Sequence, residues 1–284
     1  MQFLRLGAPG AERPAVRADD GTTYDLGPVT ADIDGAFLAA DGVARTRAAL
    51  AAGDLAPVDT AGLRTGPPLA GIGKIVCIGL NYRDHAEETG HPVPAEPVVF
   101  LKAPDTVVGP DDEVLVPRGS TRTDWEVELG VVIGRTARYL ETEADALACV
   151  AGYVLSHDVS EREFQFDRGG QWDKGKNCET FNPLGPFFVP AADVPDPQAL
   201  ELRLSVNGVE RQRSSTANMI FPVAGLVRYL SRFLVLRPGD LVNTGTPAGV
   251  AQGRPDPKPF LRAGDVVELE IDGLGRQRQR IGQA

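Results

Sequence analysis

Hydrophobic and polar residues alternate along several short stretches of the chain, and this period of two predicts β-strands. We expect strands at residues 2–6 and 15–26, the second interrupted by the turn-forming dipeptide Asp20-Gly21. After residue 73 come further strand-like segments, with the sequences KIVCIGL, PVVFLK, WEVELGVVIG, YVLSHDV, LELRLSVNG and VVELEID. The polar run 276–280 is typical of an exposed edge strand whose charges oppose aggregation.

Helical patterns are fewer than strand patterns. The Ala-rich stretch from Ile33 to Ala52 predicts one helix that ends at Gly53, and two more helices are expected at about 143–150 and 221–234. Numerous strands, with Gly and Pro turns and little regular alternation with helices, predict a mainly β, α+β architecture. The same pattern argues against a doubly wound sheet.

A change of composition divides the chain. Residues 55–73 contain three prolines and several glycines, which is typical of a linker. We therefore predict a small N-terminal α/β domain at residues 1–66, followed by a larger domain at residues 67–284.

The 284 residues include 29 Lys and Arg against 39 Asp and Glu, a formal net charge of −10. This balance repels phosphate backbones and anionic lipids, so we expect no nucleic-acid or membrane partner and favour a small-molecule ligand. The first residues are unlike a signal peptide, and no window approaches the roughly 18 apolar residues of a spanning helix. The three cysteines form no CxxC pair, which fits a reducing, cytoplasmic location.

Carboxylates cluster in the strand-like segment that begins at Asp124. Alternation places Trp125 and every second residue after it on one face, and Asp124, Glu126 and Glu128 on the other. Like charges at this spacing repel unless water or a cation lies between them, and such oxygen ligands suit Mg²⁺, Mn²⁺ or Ca²⁺. From this segment alone, a metal site and a solvated polar face are both open.

Asp158 ends the apolar run YVLSHDV, where a strand gives way to a loop and site residues are frequent. Alternation sends His157 and Asp158 to opposite faces, so only one of them joins a given site. Three acids without a histidine describe a site for a hard cation, with His157 packed or hydrogen-bonded elsewhere. The alternative makes His157 a ligand.

A polar segment follows the strand KIVCIG and indicates a loop leading into one or two helical turns. On such a turn His85 and Glu88 share a side, so the carboxylate can orient an imidazole that acts as a general base. The alternative is a charged surface helix. His91 has no partner at useful spacing, and we interpret it as structural. The polarity, glycine and prolines of this region argue against packing into the core, and they predict that residues 81–94 form a lid over bound substrate.

Glycines surround Lys174 and Lys176 in segment 169–178, an arrangement that favours backbone approaching an anion with a lysine as its charge partner. The segment lacks the order of a Walker loop, and no GlyXaaGlyXaaXaaGly follows a strand, so nucleotide binding is not expected. Cys178 has no nearby histidine, and GlyXaaSerXaaGly does not occur. Both features argue against covalent acyl-enzyme chemistry.

Taken in order, these segments resemble the fumarylacetoacetate hydrolase family. Eight pieces within about residues 74–271 carry the resemblance: IGLNYRDH, VVFLK, DWEVELGVVIG, the strand ending in Asp158, GKNCETFNPLGP, VNGVERQ, STANMIF and NTGTPAGV. The resemblance implies a catalytic domain at residues 67–284 built as a β-roll of mixed sheets, in a homodimer or higher homo-oligomer. Asp124 matches a position where relatives vary and is not expected to be a ligand.

The resemblance also implies roles for individual residues. Glu126, Glu128 and Asp158 would bind Mg²⁺, with Mn²⁺ as an alternative, and His85 and Glu88 would form a catalytic pair on a mobile lid. The other implied site residues are the catalytic Lys176 and the substrate-binding Arg83, Arg162, Gln165 and Thr246.

Within the family, the segments GGQWDKGK and TFNPLGP and the small N-terminal domain are most similar to hydrolases of 2,4-diketo-3-deoxy sugar acids, the L-fuconate and L-rhamnonate derivatives. The implied enzyme hydrolyses the C3–C4 bond of such an acylpyruvate, giving pyruvate and a second carboxylic acid such as lactate. Alternatives at the same metal site are fumarylpyruvate hydrolase, oxaloacetate decarboxylase and enol-acid hydratase. A remote alternative is a non-catalytic metal-binding protein.

Overall fold

A long mixed β-sheet contains both the N-terminal strands and the strands that carry the acidic residues. The computed structural model describes residues 1–90 and 92–284, so the structural role predicted for His91 lies outside the described residues. Strands occupy 33% of the residues and helices 21%, which confirms the predicted mainly β, α+β class.

The strands and α-helices of the described residues are numbered in chain order. The strands are β1 (Gln2–Leu6), β2 (Arg13–Arg17), β3 (Thr23–Asp25), β4 (Thr65–Gly66), β5 (Ile75–Gly79), β6 (Val98–Lys102), β7 (Val107–Val108), β8 (Val114–Val116), β9 (Thr123–Asp124), β10 (Val127–Ile133), β11 (Val150–His157), β12 (Ser160–Glu161), β13 (Asn182–Pro190), β14 (Glu201–Val206), β15 (Val209–Ser215), β16 (Leu241–Asn243), β17 (Val266–Ile271) and β18 (Gly275–Gln283). The helices are α1 (Gly35–Ala39), α2 (Gly42–Ala52), α3 (Arg83–Thr89), α4 (Glu143–Ala148), α5 (Asp173–Lys176) and α6 (Val223–Leu230). Among these described helices, none combines the length and the apolar character needed to cross a bilayer.

Two sheets account for most of the strands. The long sheet follows the order β3-β2-β1-β13-β11-β10-β16-β5-β6, with β4 and β7 paired at its side. The second sheet has the order β15-β14-β17-β18-β8, and β9 pairs with β12 apart from both. Strands β5 and β16 run parallel while β10 is antiparallel to its neighbours, so the long sheet is mixed and not doubly wound, as predicted.

The pairing of β10 with β11 brings acidic residues together. Glu128 lies opposite Ser156 in the antiparallel register, and the backbone N–H of Asp158 donates to the Glu126 carbonyl at 3.0 Å. Because β5 and β16 run parallel, the segments that follow them leave the sheet at the same end of the strands.

The two faces of β10 pack against different cores. Its apolar face, with Trp125 and Leu129, joins residues of the second sheet and of α6 in one cluster, as alternation predicts. On the opposite face, Val132 belongs to a cluster with Phe3 and other N-terminal residues. Glu128 lies on this second face, so one face of β10 carries acids at its start and an apolar core at its end.

The N-terminal helix differs from the prediction. The stretch up to Ala52 forms α1 and α2 instead of one helix, because Asp41 between them adopts the left-handed conformation with φ of 52°. The Asp34 side chain caps α1 by accepting the Phe37 N–H at 2.8 Å. Gly53 ends α2 in the left-handed conformation, as predicted.

The N-terminal strands extend the long sheet. Strand β1 pairs with β13 through Phe3 opposite Phe188, and β2 and β3 continue outward from β1. The division into residues 1–66 and 67–284 stays a prediction.

The exposed edge strand predicted at residues 276–280 is wrong. These residues belong to β18, which pairs with β17 through residues 275–280 and with β8 through residues 281–283, so β8 and not β18 is the last strand of this sheet. Gln277 and Gln279 are fully buried, and the Gln277 amide donates to the carbonyls of Leu155 at 2.9 Å and Gly185 at 2.8 Å. These two glutamines thus point into the interior, where their amides donate hydrogen bonds to backbone carbonyls. The arginines that alternate with them face outward.

Close approach of two strands generates a prediction at Gly152. A Cβ there would overlap the Val189 carbonyl oxygen and lie 2.7 Å from the Phe188 ring, so we expect Gly152→Ala to destabilise the protein by about 1–3 kcal/mol. Gly225→Ala in α6 is the control, since its Cβ would meet nothing closer than 3.5 Å. It should be neutral or stabilising by up to about 1 kcal/mol. Urea unfolding measures both, and equal effects would contradict the prediction.

Candidate active site

Three carboxylates meet at one end of the β10–β11 pair. Glu126 directly precedes β10, Glu128 is its second residue, and Asp158 directly follows β11. Their oxygen atoms approach within 4.8 Å of one another, and all three side chains are buried. The structure thus brings together the residues predicted to bind a metal, here called the acid cluster.

Two lysines contact the acid cluster. Lys176 Nζ, on α5, donates to Glu126 Oε2 at 2.7 Å and to Asp158 Oδ2 at 3.0 Å. Lys102 Nζ, at the end of β6, donates to Asp158 Oδ1 at 2.6 Å. Both lysines are buried, so their charges act on the carboxylates with little screening by water.

The positive charges around the acid cluster are unevenly distributed among its three carboxylates. Burial opposes ionisation of Glu126, but Lys176 and Arg162, each 2.7 Å away, outweigh it and lower the Glu126 pKa to about 2. Burial and the charges of Asp158 and Glu126 raise the pKa of Glu128 well above its usual range. In the described part of the chain Glu128 has no ion-pair partner.

The lack of positive charge beside Glu128 bears on whether these residues fit a metal ion. Glu128 accepts one hydrogen bond, from the Gly245 N–H at 2.9 Å, and a buried carboxylate without a counter-charge is costly. A divalent cation held by three carboxylates would supply that charge, and hard cations prefer such oxygen ligands. The donor set therefore fits a divalent metal, and burial rules out the alternative of a solvated polar face.

His157 faces away from the acid cluster, as alternation predicts. Its Nδ1 lies 3.1 Å from Gln279 Oε1 in the core. Burial lowers the His157 pKa to about 4, so this histidine is neutral and packed.

A cavity of about 630 Å³ opens over the acid cluster. Its polar lining gathers most of the predicted site residues, namely His85, Glu88, Glu126, Glu128, Arg162, Gln165, Lys176 and Thr246. Asp158 lies beneath, fully buried. Two carboxylates of the acid cluster, the His85–Glu88 pair and three substrate-binding candidates thus line one cavity.

Three aromatic residues of the cavity lining form what we call the aromatic wall. Phe100 and Trp172 have ring centroids 5.6 Å apart, and Trp172 and Phe166 have centroids 6.0 Å apart. Lys176 Nζ lies 5.0 Å from the Phe100 centroid, so the wall begins beside the acid cluster. Phe166 is 42% exposed, which puts the other end of the wall at the mouth. Gly79 makes room for this arrangement because a Cβ there would overlap Trp172.

His85 and Glu88 lie on one side of α3, as their spacing predicts. His85 Nδ1 is 3.6 Å from Glu88 Oε2, and the Gly249 N–H donates to the same carboxylate at 2.9 Å. Burial opposes ionisation of Glu88, but the contacts with His85 and Gly249 outweigh it and lower the Glu88 pKa. An ionised Glu88 can orient the imidazole of a general base and stabilise the proton it takes up. Since His85 is buried, α3 is more than a charged surface helix.

The predicted lid at residues 81–94 is anchored at its start. Asn81 and Tyr82 are fully buried, and Asn81 Nδ2 donates to the Thr244 carbonyl at 2.7 Å. The expectation that polarity keeps the segment out of the core is wrong for these two residues. Val93 is 59% exposed, and ordering of the later part over substrate stays a prediction.

Three of the four predicted substrate-binding residues line the cavity. Arg162 and Gln165 do so together, with Arg162 Nη1 donating to Gln165 Oε1 at 2.9 Å, and Thr246 lies nearby. Arg83 is not among the described residues of the lining. Its side chain instead donates to the Met219 carbonyl at 2.9 Å.

Two features of the site were not predicted. Lys102 is the last residue of the strand PVVFLK and lies on the same inward face as the buried Phe100. A lysine on an inward face indicates a buried acidic partner, so this residue could have been predicted from the strand pattern. Phe166 lies in a π-helical turn at Glu163–Asp167 and Trp172 directly precedes α5, and no periodicity in so short a segment indicates where these side chains point.

The sequence pattern described as fumarylacetoacetate (FAA) hydrolase C-terminal matches residues 74–282. The chain belongs to the fumarylacetoacetate hydrolase family. This confirms the resemblance carried by the eight sequence segments, and it agrees with the mixed sheets and the buried acid cluster.

Other members of the fumarylacetoacetate hydrolase family are similar over their whole length. A Sphingomonas sp. (strain SKA58) protein named 2,4-didehydro-3-deoxy-L-rhamnonate hydrolase is 48% identical over 284 residues, 100% of this chain and 96% of its own. The solved structure of fumarylacetoacetate hydrolase from Exiguobacterium antarcticum has a TM-score of 0.85 at 31% identity, covering 100% of both chains. Maleylpyruvate hydrolase from Sphingobium sp. SYK-6, in complex with manganese(II) ion and pyruvate, has a TM-score of 0.82 at 26% identity, also covering 100% of both.

This fumarylacetoacetate hydrolase family member is accordingly an enzyme, a hydrolase. The remote alternative of a non-catalytic metal-binding protein is therefore wrong.

We predict that Glu128→Gln has opposite consequences with and without metal. In EDTA the variant should equal the wild type or be up to about 2 kcal/mol more stable, because it removes a buried carboxylate without an ion-pair partner and keeps an acceptor for the Gly245 N–H. With Mg²⁺ or Mn²⁺ the wild type should gain stability and the variant much less. Thermal unfolding measures both, with the exposed Glu210→Gln as control. Full metal stabilisation of Glu128→Gln would contradict the assignment.

Proposed function

We propose that this hydrolase cleaves the C3–C4 bond of a 2,4-diketo acid and releases pyruvate and a second carboxylic acid. The observation that carries the proposal is that Glu126 and Glu128 of the acid cluster line the same cavity as the His85–Glu88 pair. Such a site can hold the pyruvoyl end of an acylpyruvate and activate water beside its 4-keto carbon.

The acid cluster would hold Mg²⁺, with Mn²⁺ as the alternative. When bound, this cation would supply a Lewis acid that polarises the carboxylate and 2-keto oxygens of the substrate. The manganese and pyruvate in the Sphingobium relative support both the divalent metal and the pyruvoyl end. Lys176, Arg162 and Gln165 would orient the anionic end of the substrate, and Thr246, which follows β16, would also contact it.

His85 would take a proton from water as its oxygen forms a bond to C4. The C3–C4 bond then breaks, its electron pair leaves with C3 as the enolate of pyruvate, and C3 is finally protonated. Glu88, ionised and fixed by the Gly249 N–H, would stabilise the imidazolium formed in the first step. Lys176 would offset negative charge on the departing enolate.

The charges of the site favour a substrate with a single carboxylate. The buried network contains four carboxylates and three cations: Asp124, Glu126, Glu128, Asp158, Lys102, Arg162 and Lys176. When all are ionised the net charge of this network is −1, so a divalent cation and one substrate carboxylate bring the network to zero, while the ionised Glu88 in the same cavity adds further negative charge. A second substrate carboxylate would restore the excess of negative charge, and Arg162 and Lys176 already bind protein carboxylates.

The aromatic wall supports the same choice. An uncharged, partly apolar acyl group can pack against Phe166 and Trp172, whereas a fumaryl group would bring a carboxylate to an apolar surface. Our specific proposal is therefore 2,4-diketo-3-deoxy-L-rhamnonate or the L-fuconate analogue, which would give lactate as the second acid. The name of the 48% identical Sphingomonas relative supports this choice. The proposal further includes a homodimer or larger homo-oligomer and a cytoplasmic location.

Pyruvate release from a substrate panel tests the proposal. Diketo-deoxy sugar acids should exceed fumarylpyruvate in kcat/KM by at least about tenfold, because a carboxylate without a partner costs more than about 1.4 kcal/mol. Oxaloacetate should be slower still, and EDTA should abolish all activities. Faster turnover of fumarylpyruvate or oxaloacetate would replace the proposed substrate by that alternative.

His85→Ala should separate water activation from metal binding. Loss of the proton acceptor should lower the hydrolytic rate by about 10²–10⁴-fold while Mn²⁺ affinity changes little. Decarboxylation of oxaloacetate needs no attacking water, so any such side activity should survive better. Glu87→Ala, at an exposed position of the same helix, is the matched control. Equal loss of both activities would show that His85 has a binding or structural role.

A further inference from the structure

Asp124 has a fully buried carboxylate that four donors surround. Oδ1 accepts the backbone N–H of Trp125 at 2.8 Å and of Ala251 at 2.7 Å. Oδ2 accepts the N–H of Gln252 at 2.9 Å and the Nε–H of Arg162 at 2.8 Å. Each oxygen therefore serves two donors, an arrangement that suits a connecting residue and not a metal ligand.

Through Arg162, this carboxylate is linked to the acid cluster. Arg162 Nη2 lies 2.7 Å from Glu126 Oε1, and the guanidinium is 5% exposed. The burial and the two carboxylates fix the plane of the guanidinium, so Asp124 and Glu126 have a set separation.

Through the backbone donors, the same carboxylate is linked to the segment that holds Glu88. Residues 249–253, here called the Glu88 loop, include a turn of 3₁₀-helix at 251–253. The Gly249 N–H donates to Glu88, and a Cβ on Gly253 would lie 2.6 Å from Glu88 Cδ. The loop thus contacts Glu88 at both of its ends while Asp124 binds its middle.

We propose that Asp124 is a positioning residue that fixes the Glu88 loop relative to the acid cluster and thereby sets where the His85–Glu88 pair stands over the substrate. Asp124 is not among the described residues that line the cavity, so it acts through the loop and Arg162. The inference rests on the proposed function in one respect, the role of His85 and Glu88 as the water-activating pair.

An asparagine cannot replace this carboxylate. All four groups around Asp124 are donors, and the amide of Asn would turn its own N–H groups toward two of them. If the Asn carboxamide oxygen keeps the hydrogen bonds from the Trp125 and Ala251 N–H groups, the Asn NH₂ group faces the donors of Gln252 and Arg162. Asp124→Asn therefore disconnects the loop from Arg162 with almost no change of side-chain volume.

The kinetic test is a double-mutant cycle with Glu88→Gln. Asp124→Asn alone should lower kcat for 2,4-diketo acid hydrolysis by about 10- to 100-fold, since misplacement of a catalytic group by about 1 Å has effects of this size. Added to Glu88→Gln it should cause little further loss, because both changes disable the same pair. Mn²⁺ affinity, measured by electron paramagnetic resonance, should change less than about threefold. Losses that multiply would overturn the proposal.

Asp167→Asn is the matched control. Asp167 is exposed, pairs with Arg122 at 2.8 Å and lies in the same region of the chain as Arg162. Its kcat should equal that of the wild type. If Asp167→Asn were as impaired as Asp124→Asn, the effect would reflect surface charge and the proposal would fail.

Hydrogen exchange provides a readout that needs no substrate. In Asp124→Asn, peptides covering 83–88 and 249–253 should exchange roughly tenfold faster than in the wild type, while β14 is unchanged. Unchanged exchange in both peptides overturns the positioning role even if the enzyme hydrolyses diketo acids. Faster exchange in an enzyme without that activity supports the positioning role and rejects the proposed function.

A second variant covers the case in which Asp124→Asn does not fold. Ala251→Pro removes one of the two loop donors and leaves Asp124 and Arg162 intact. Val250 before it has φ of −64° and ψ of 154°, which suits a residue preceding proline. We expect a smaller fall in kcat, again not additive with Glu88→Gln. A wild-type kcat in this variant would overturn the proposal.

Discussion

Three carboxylates held out of water within 4.8 Å of one another repel each other, and the elements around them are arranged to supply the opposing charge. Lys102 comes from the end of β6, Lys176 from α5 and Arg162 from the segment after β12. These elements are distant in the chain, so the acid cluster is tolerable only once the tertiary fold has formed. Among the residues that the structure describes, no cation pairs with Glu128, and this local deficit of positive charge suits the site to a divalent metal.

Local spacing was enough to predict the geometry within each element. The opposite faces of Trp125 and Glu126 follow from the two-residue period of a strand, and the common side of His85 and Glu88 follows from the helical period. The same reasoning separated His157 from the acids. These features depend on residues close in sequence, so they can be predicted without knowledge of tertiary contacts.

Features that depend on distant partners were not predictable in this way. Lys102 pairs with Asp158 across 56 positions, and Gln277 is interior because its amide bonds the carbonyls of Leu155 and Gly185 in the long sheet. Strand β13 went unpredicted because its sequence, NPLGPFFVP, is rich in the residues that normally interrupt strands. Its central place is set by its neighbours β1 and β11, which overrule the local preference.

The aromatic wall has an evolutionary consequence. Phe166 and Trp172 come from a segment between β12 and α5 that belongs to neither sheet. Substitutions at these two positions alter the far end of the cavity without removing a strand pairing or a member of the charge network. A lineage can therefore acquire a new acyl specificity through a few tolerated changes while its bond-cleaving machinery is inherited intact, which makes this scaffold well suited to diversification.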